Sequence, residues 1–369
     1  MQTAAAAKQS EFPCGQCGAE LKFEPGKDAM VCPYCGATTP VPRSGQAIVE
    51  LDYLTYANPA QGILPEPAAD ENLTVHCSSC GAETKLGKNV TASKCVFCGA
   101  PLVAGKQSKR IIKPQALLPF SIGRQKAQAD FRDWLGSLWF APNDLLKAAE
   151  TGGLAGVYVP FWTFDADAKT EYVGERGDDY WETETYTEFE NGHPVTRTRQ
   201  VLRTRWWPAS GMVNNHFDDL LVMASSSLPP KQAAHLEPWD LQHLVSYADE
   251  YLAGFAAESY QVDLPQGFQR AKEMTDAEIR NTVCADIGGD HQRIASLTSD
   301  YLNVTFKHIL LPLWISAYSW HGHSYRFLIN ARTGEVQGER PYSAWKILFL
   351  IIAILVALVV FAMIQHGMR

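Results

Sequence analysis

Three patterns of hydrophobic and polar positions divide this chain, and the plainest comes last. From Ile347 to Ile364 eighteen residues run without a charged or polar side chain. At 1.5 Å per residue they predict a helix about 27 Å long. With Ala344 and Trp345 added, that length matches a hydrocarbon core of about 30 Å. Tyr342 and Trp345 stand where interfacial aromatics belong, and Lys346 is placed to snorkel at the near end. A single transmembrane helix is therefore expected over 345–365. Arg332, Arg340 and Lys346 precede it and only His366 and Arg369 follow. The positive-inside rule then expects a single-pass protein of the cytoplasmic membrane with its N-terminal bulk in the cytoplasm, inserted after translation as a tail-anchored protein is.

The second pattern fills 114–343, where order-of-features comparison suggests a duplication with halves of roughly 114–210 and 235–343. Leu118-Pro119 precedes apolar residues at helical spacing (Ala127, Phe131, Trp134, Leu135, Leu138), then the strand-like Val157-Tyr158-Val159-Pro160-Phe161-Trp162 and Gly174-Glu175-Arg176-Gly177. Leu264-Pro265, a helical stretch through Ile279 and Val283, Ile309-Leu310-Leu311-Pro312-Leu313-Trp314 and Gly338-Glu339-Arg340-Pro341 repeat that order. Tyr186 to Arg205 alternate as strands around Asn191-Gly192, and Asn330 to Glu335 supply a second turn. An α+β fold of helices packed on β-hairpins is predicted.

The third pattern is one of cysteines. Cys14-Gly15-Gln16-Cys17 is followed after fourteen residues by Cys32-Pro33-Tyr34-Cys35, and Cys77-Ser78-Ser79-Cys80 after fourteen by Cys95-Val96-Phe97-Cys98. A C-x2-C knuckle aims two thiolates at one metal while backbone N–H groups point at the sulfurs, and two knuckles complete a tetrahedron. Glycine follows every knuckle, at Gly18, Gly36, Gly81 and Gly99. Two zinc ribbons are expected, over 11–43 and 73–104, each holding one structural Zn2+ that supplies much of the ribbon's folding free energy. Four thiolates leave no open coordination position, so the sites are expected to be structural rather than catalytic. Iron is the rival, because Cys32 to Gly36 looks like a rubredoxin knuckle, but a fourteen-residue gap is ordinary for zinc ribbons. A disulfide framework is disfavoured because Met1 to Phe12 contains no apolar export signal.

Composition narrows this picture. The 369 residues are 46% hydrophobic, enough for two or three domains with packed cores. A net charge of −8 argues against nucleic-acid binding by the whole surface. The excess of basic residues is local: Lys85, Lys88, Lys94, Lys106, Lys109, Arg110 and Lys113 stand against Glu83 around the second ribbon. That face suits nucleic-acid phosphate, anionic lipid or an acidic protein, and is partly offset by the charge of about −2 on a four-thiolate zinc centre. Residues 44–72, with Pro59, Pro65 and Pro67, read as an irregular linker.

Candidate chemistry in the middle region comprises His321 and His323, Asp286 and Asp290 beside Gly288-Gly289, Cys284, and Asp165 with Asp167. Each has an ordinary structural explanation in a strand face or a glycine turn. No Gly-Lys pair is followed by Ser or Thr, so a Walker A loop is absent and an ATP-driven motor is excluded on mechanism. No enzymatic activity is expected.

The paired ribbons, Val157 to Trp162, Asp286-Ile287-Gly288-Gly289-Asp290, Lys307 to Trp314 and Pro341-Tyr342-Ser343 leading into the span together resemble a bacterial family of zinc-ribbon membrane proteins. Its members carry the label "primosomal protein N′ (replication factor Y)/superfamily II helicase"-like, which rests on the ribbons and not on motor motifs. The resemblance implies association with phage-shock-protein-A-like and SPFH-domain proteins, for which such a chain is a membrane platform. Two functions are carried forward. One is a non-enzymatic scaffold that recruits cytoplasmic protein partners to the bilayer. The other is a zinc-ribbon protein that tethers DNA, RNA or a replication or transcription complex there.

Overall fold

A computed structural model of the chain describes residues 12–42, 47–57, 73–77, 82–86, 92–94, 97, 101–103, 112–142, 145, 153–190, 193–320 and 323–367. In chain order the first strands are β1 (Lys22–Phe23), β2 (Ala29–Val31) and β3 (Thr38–Pro40), a small antiparallel sheet. β4 (Leu51–Asp52) and a short helix α1 (Tyr53–Ala57) follow. β5 (Leu73–His76) pairs with β6 (Glu83–Leu86), and β7 (Ala92–Lys94) with β8 (Pro101–Val103). After β9 (Ala116–Leu117) come α2 (Arg124–Ser137), β10 (Ala155–Glu190) and β11 (His193–Met223). The rest is α3 (Pro230–Ala234), β12 (Val245–Ser246), β13 (Ala256–Ala257), α4 (Leu264–Ile287), β14 (His291–Trp320), β15 (His323–Asn330), β16 (Val336–Gly338) and α5 (Ala344–Gly367).

The fold is mixed helix and sheet, as expected, but it is more sheet-rich than helices on hairpins. One nine-stranded sheet runs β11-β10-β14-β15-β16, with β4, β9, β12 and β13 added at its margins. The two motifs Val157–Trp162 and Ile309–Trp314 meet as antiparallel neighbours, with Val157 opposite Leu313 and Trp162 opposite His308. Their continuous apolar character has a clear cause, because both faces are buried. Tyr158, Leu310 and Trp314 join one core cluster, and Val157, Val159, Ile309, Leu311 and Leu313 the other.

The first ribbon belongs to the former cluster and Cys77, Ala82 and Phe97 of the second to the latter. The two knuckle regions thus lie against opposite faces of the same sheet. Neither knuckle region is free-standing. Phe23 packs on Tyr251 with ring centroids 5.2 Å apart, and its N–H donates to the Ala253 carbonyl at 3.0 Å. Residues 47–57, expected within a spacer, also join the fold: β4 pairs with β14, and Tyr53 and Tyr56 pack against Phe268 and Phe306.

α4 crosses the sheet with a stripe of buried residues at Leu264, Phe268, Ala271, Thr275, Ile279, Val283 and Ile287, one every three or four positions. Its start is fixed by Asp263, whose carboxylate accepts from the Gln266 N–H at 2.9 Å, and by Pro265 in the first turn. Gly267 lets the helix settle on Trp162, since a Cβ there would lie 2.7 Å from the indole.

β10 and β11 outrun the rest of the sheet. β14 leaves β10 at the Gly177–His291 pair, whereas β10 and β11 remain paired out to Glu190 and His193. The far part is a two-stranded arm of about 40 Å at 3.4 Å per residue. Its register leaves Asn191 and Gly192 for the turn, and these lie outside the described residues. At the other end, α5 is apolar from Ile347 to Ile364, and its first eighteen residues, Ala344–Phe361, have mean hydropathy 2.9 and no burial. Among the described residues one helix is therefore long and apolar enough to cross a membrane. Arg332, counted above among the charges flanking it, instead lies in the folded region, pairing with Asp240 and donating to the Pro119 carbonyl at 3.1 Å.

Candidate metal centre and a polar cluster at the sheet bulges

Cys14, Cys17, Cys32 and Cys35 converge so that all four sulfurs lie within 4.8 Å of one another. The Sγ atoms of Cys14 and Cys35, and of Cys17 and Cys32, are 3.5 Å apart. A tetrahedron with Zn–S bonds of about 2.3 Å has edges of about 3.8 Å, so the four sulfurs fit one such ion. The knuckles repeat each other bond for bond. Cys14 N–H donates to Ala19 O at 2.7 Å and Cys32 N–H to Ala37 O at 2.8 Å; Gly18 N–H donates to Cys14 O at 2.8 Å and Gly36 N–H to Cys32 O at 3.0 Å. Gly18 and Gly36 both have φ +74, with open space where a Cβ would stand. Backbone conformation, not crowding, requires glycine there.

Backbone N–H groups also point at the sulfurs. Those of Gln16 and Cys17 lower the Cys14 thiol, and those of Cys35 and Tyr34 bring Cys32 down to about 6. Ala37 N–H acts the same way on Cys35, but the adjoining sulfurs, Cys14 foremost, and desolvation push that thiol up to about 12. Such N–H donors are what a thiolate–metal knuckle uses to spread the sulfur charge. A divalent cation at the centre would hold all four sulfurs as thiolates and act as a crosslink between the two knuckles. Cys14 and Cys32 are buried and Cys17 and Cys35 exposed, so the centre lies at the ribbon's tip.

The second ribbon is described only in part. Cys77 is buried, and its N–H donates to Ala82 O at 2.8 Å, the same five-residue step as at Cys14 and Cys32. Cys80, Cys95 and Cys98 lie outside the described residues. Phe97 is fully buried, whereas Tyr34, two residues past the matching cysteine in the first ribbon, is 84% exposed. The two ribbons therefore present different surfaces to the sheet.

The remaining candidates have structural roles or fall elsewhere. Asp286 accepts from Tyr172 OH at 2.5 Å, a bond that pushes the phenol up to about 12. Asp290 accepts from Asp179 N–H at 2.8 Å. Together they tie the turn between α4 and β14 to β10. Gly288 N–H donates to the Cys284 carbonyl at 3.1 Å, closing the helix. His321 lies outside the described residues, and His323 begins β15.

Asp165 and Asp167 do enter a polar cluster, and most of its members were missed in the sequence. β10 bulges at these positions against both neighbours, and the facing strands carry Asp219 at φ +50 and Asn303 at φ +52. Lys307 Nζ stands 2.8 Å from both Glu50 and Asp219, and Thr305 Oγ1 donates to Glu50 at 2.8 Å. Burial pushes the Asp165 carboxyl up to about 6, helped by its hydrogen bond with Glu50. The same bond, with Lys307, holds Glu50 down to about 2. Between those two values the pair therefore carries one proton, on Asp165. Burial opposes the Lys307 charge, but Asp219 and Glu50 more than offset it and raise its pKa. Beyond the bulge Asp167 accepts from Asn303 and His216, each at 2.8 Å. A lysine held between two carboxylates, with Thr305 donating to Glu50 and the Asp219 N–H to Asp165, forms a structural network.

No family model matches the chain, and no solved structure matches it. It is similar to "Uncharacterized protein YdjG" of Bacillus subtilis (strain 168), with 27% identity over 259 residues, which cover 68% of this chain and 70% of that protein.

Proposed function

We propose that this chain is a membrane-anchored scaffold that recruits soluble protein partners through the β10–β11 arm, with structural Zn2+ in its first ribbon and a second Zn2+ held by Cys77, Cys80, Cys95 and Cys98. α5 is the anchor, and the rest of the chain faces the cytoplasm. Four sulfurs around one ion leave no position for water or substrate, which favours a structural centre over a hydrolytic one.

The observation that carries the reading is the two-faced character of the arm. Cross-strand register places Glu182, Glu184, Glu188 and Glu190 on one side with Arg197, Arg199 and Arg203. These charges satisfy one another: Arg199 meets Glu184 at 2.9 Å, Arg197 meets Glu188 and Glu190 at 3.1 and 3.0 Å, and Arg203 pairs with Glu182 and Glu184. The other side, from Trp181 opposite Leu202 to Phe189 opposite Pro194, has no charge at all and is otherwise threonine and Gln200. Trp181, Phe189 and Leu202 are 67%, 74% and 51% exposed there. A two-stranded ribbon with a bare apolar-and-hydroxyl face about 30 Å long is a surface made to be covered. Absence of charge favours a protein partner over nucleic acid, which needs cations along the contact. Phage-shock-A-like and SPFH-domain proteins are the first partners to test.

The test is affinity capture of the intact chain from detergent-solubilised membranes, alongside the triple variant Trp181→Ser, Phe189→Ser, Leu202→Ser. The expected result is a specific protein partner recovered with the parent chain and absent with the variant. Equal recovery with both, or salt-sensitive recovery of nucleic acid without protein, would overturn the scaffold reading.

A further inference from the structure

The folded region is joined to α5 by more than the peptide chain. Ser343 N–H donates to the Phe140 carbonyl at 2.7 Å, and Lys346 Nζ to the Ala141 carbonyl at 2.9 Å. Ser343 in turn accepts from the Ile347 N–H at 3.2 Å, so the residue that opens the helix is itself held by the loop after α2. That loop is rigid: Ala141 is buried in the same core as Leu135 and Phe131, Leu138 packs on it, and Ala141 N–H donates back to Leu138 O at 3.0 Å.

On this fixed loop Trp139 is 79% exposed. Its backbone is one peptide from the carbonyl bonded to Ser343, so with a Cα step of about 3.8 Å and the hydrogen bond added it lies within about 9 Å of the residue that opens α5. Trp345, in the first turn of the helix, is 80% exposed, and Tyr342 59%. Arg340 stands over the Tyr342 ring at 5.3 Å. Three exposed aromatics from two separate parts of the chain therefore ring the point where an apolar helix leaves the fold. Indole and phenol rings favour the headgroup level of a bilayer, where the ring body is shielded and the polar edge stays wet.

We propose that the loop Leu138–Pro142 is a second membrane contact, in which Trp139 enters the headgroup interface of a leaflet that α5 crosses and seats this end of the folded region against the bilayer. The occupant is lipid because the loop is hydrogen-bonded to the base of the apolar helix, whose own first turn exposes Trp345 beside it. The inference rests on the reading of α5 as a membrane span. Its consequence is geometric: with the loop bonded to both ends of the first turn, the sheet cannot swing freely about α5, and the β10–β11 arm is held at a set angle to the membrane.

The experiment places the photocrosslinking residue p-benzoylphenylalanine at 139, 345 or 207 in the full-length chain, reconstituted in phosphatidylcholine–phosphatidylglycerol vesicles. Position 207, on the sheet away from the loop, is the control. Position 139 is expected to capture lipid within a factor of about two of position 345 and about tenfold above position 207. Lipid capture at 345 but not at 139 overturns the seat and leaves the span standing. Capture at neither overturns the span and the seat together. Equal capture at 139 and 207 also overturns the seat, since lipid contact there would be nonspecific.

Discussion

Lys307 Nζ lies 2.8 Å from Glu50 Oε1 across 257 residues of sequence, and the pair pins the segment before β4 onto the centre of the main sheet. The lysine side chain is only 10% exposed, so its charge depends on Glu50 and Asp219. Lys307→Met would leave those carboxylates facing each other without a cation. Because they are themselves about a third exposed, the cost should fall at the low end for a broken buried pair, about 3 kcal/mol. Glu50→Gln, which leaves Asp219 in place, should cost about 1 kcal/mol. Urea unfolding of the detergent-solubilised chain measures both, and equal losses in the two variants would contradict this ranking.

The Glu50–Asp165 pair predicts a pH dependence with opposite signs on its two limbs. Glu50 is held near 2 against an ordinary 4.5, so the unfolded chain binds the extra proton between those values and stability rises with pH. Asp165 is raised from 3.8 to about 6, so the folded chain holds the extra proton there and stability falls as pH rises through 6. Discounted for a half-exposed carboxyl, that fall is about 1 kcal/mol. Asp165→Asn should abolish it and leave a flat profile between pH 4 and 6. Thermal melts across that range decide the matter, and a persistent fall in the variant would place the titration elsewhere.

Metal removal should be felt beyond the first ribbon. Its Leu21, Phe23, Met30 and Val41 share a core with Phe120, Tyr251 and Phe131, so losing the knuckles uncovers apolar surface of the main sheet. A structural zinc site contributes on the order of 10 kcal/mol to the folding of such a module. Cys32→Ser should lower bound zinc by one ion per chain, measured by plasma mass spectrometry. It should also lower the melting temperature of the whole sheet, read by tryptophan fluorescence, rather than produce a separate early transition. Unchanged zinc content would rule out this centre.

What could be read from the residues was what is local. A C-x2-C pair carries its own geometry, and the first ribbon's four sulfurs meet as their spacing requires. The apolar run of α5 and the stripe of α4 are periodic signals within one element. Strand extent was not legible. β10 runs 36 residues through buried, half-buried and exposed surroundings, so its hydrophobic pattern changes twice within one strand. The Lys307 cluster was invisible for a different reason. Its members come from the segment before β4, from β10, from β11 and from β14, and only the register of the sheet makes them neighbours. The docking of the ribbons onto the sheet was missed because their buried faces are two or three residues long, too short for any periodicity to show.

The arm gives the sharpest separation of folding from function. β14 pairs with β10 no further than Gly177, so beyond it the arm's backbone pairs with no third strand among the described residues. Replacing residues 180–203 by Asn-Gly keeps the Asp179–Thr204 pair, in which Thr204 Oγ1 donates to Asp179 at 2.7 Å, and closes it with a two-residue turn suited to a hairpin. Nothing in the core is touched, so urea unfolding should change by less than about 0.5 kcal/mol and zinc content not at all. Partner recovery should be lost completely, because both the uncharged face and its charged reverse are removed. A stability loss above about 2 kcal/mol would mean the arm is part of the cooperative core, and its exposed Trp181 and Phe189 would then need a structural explanation in place of a docking one.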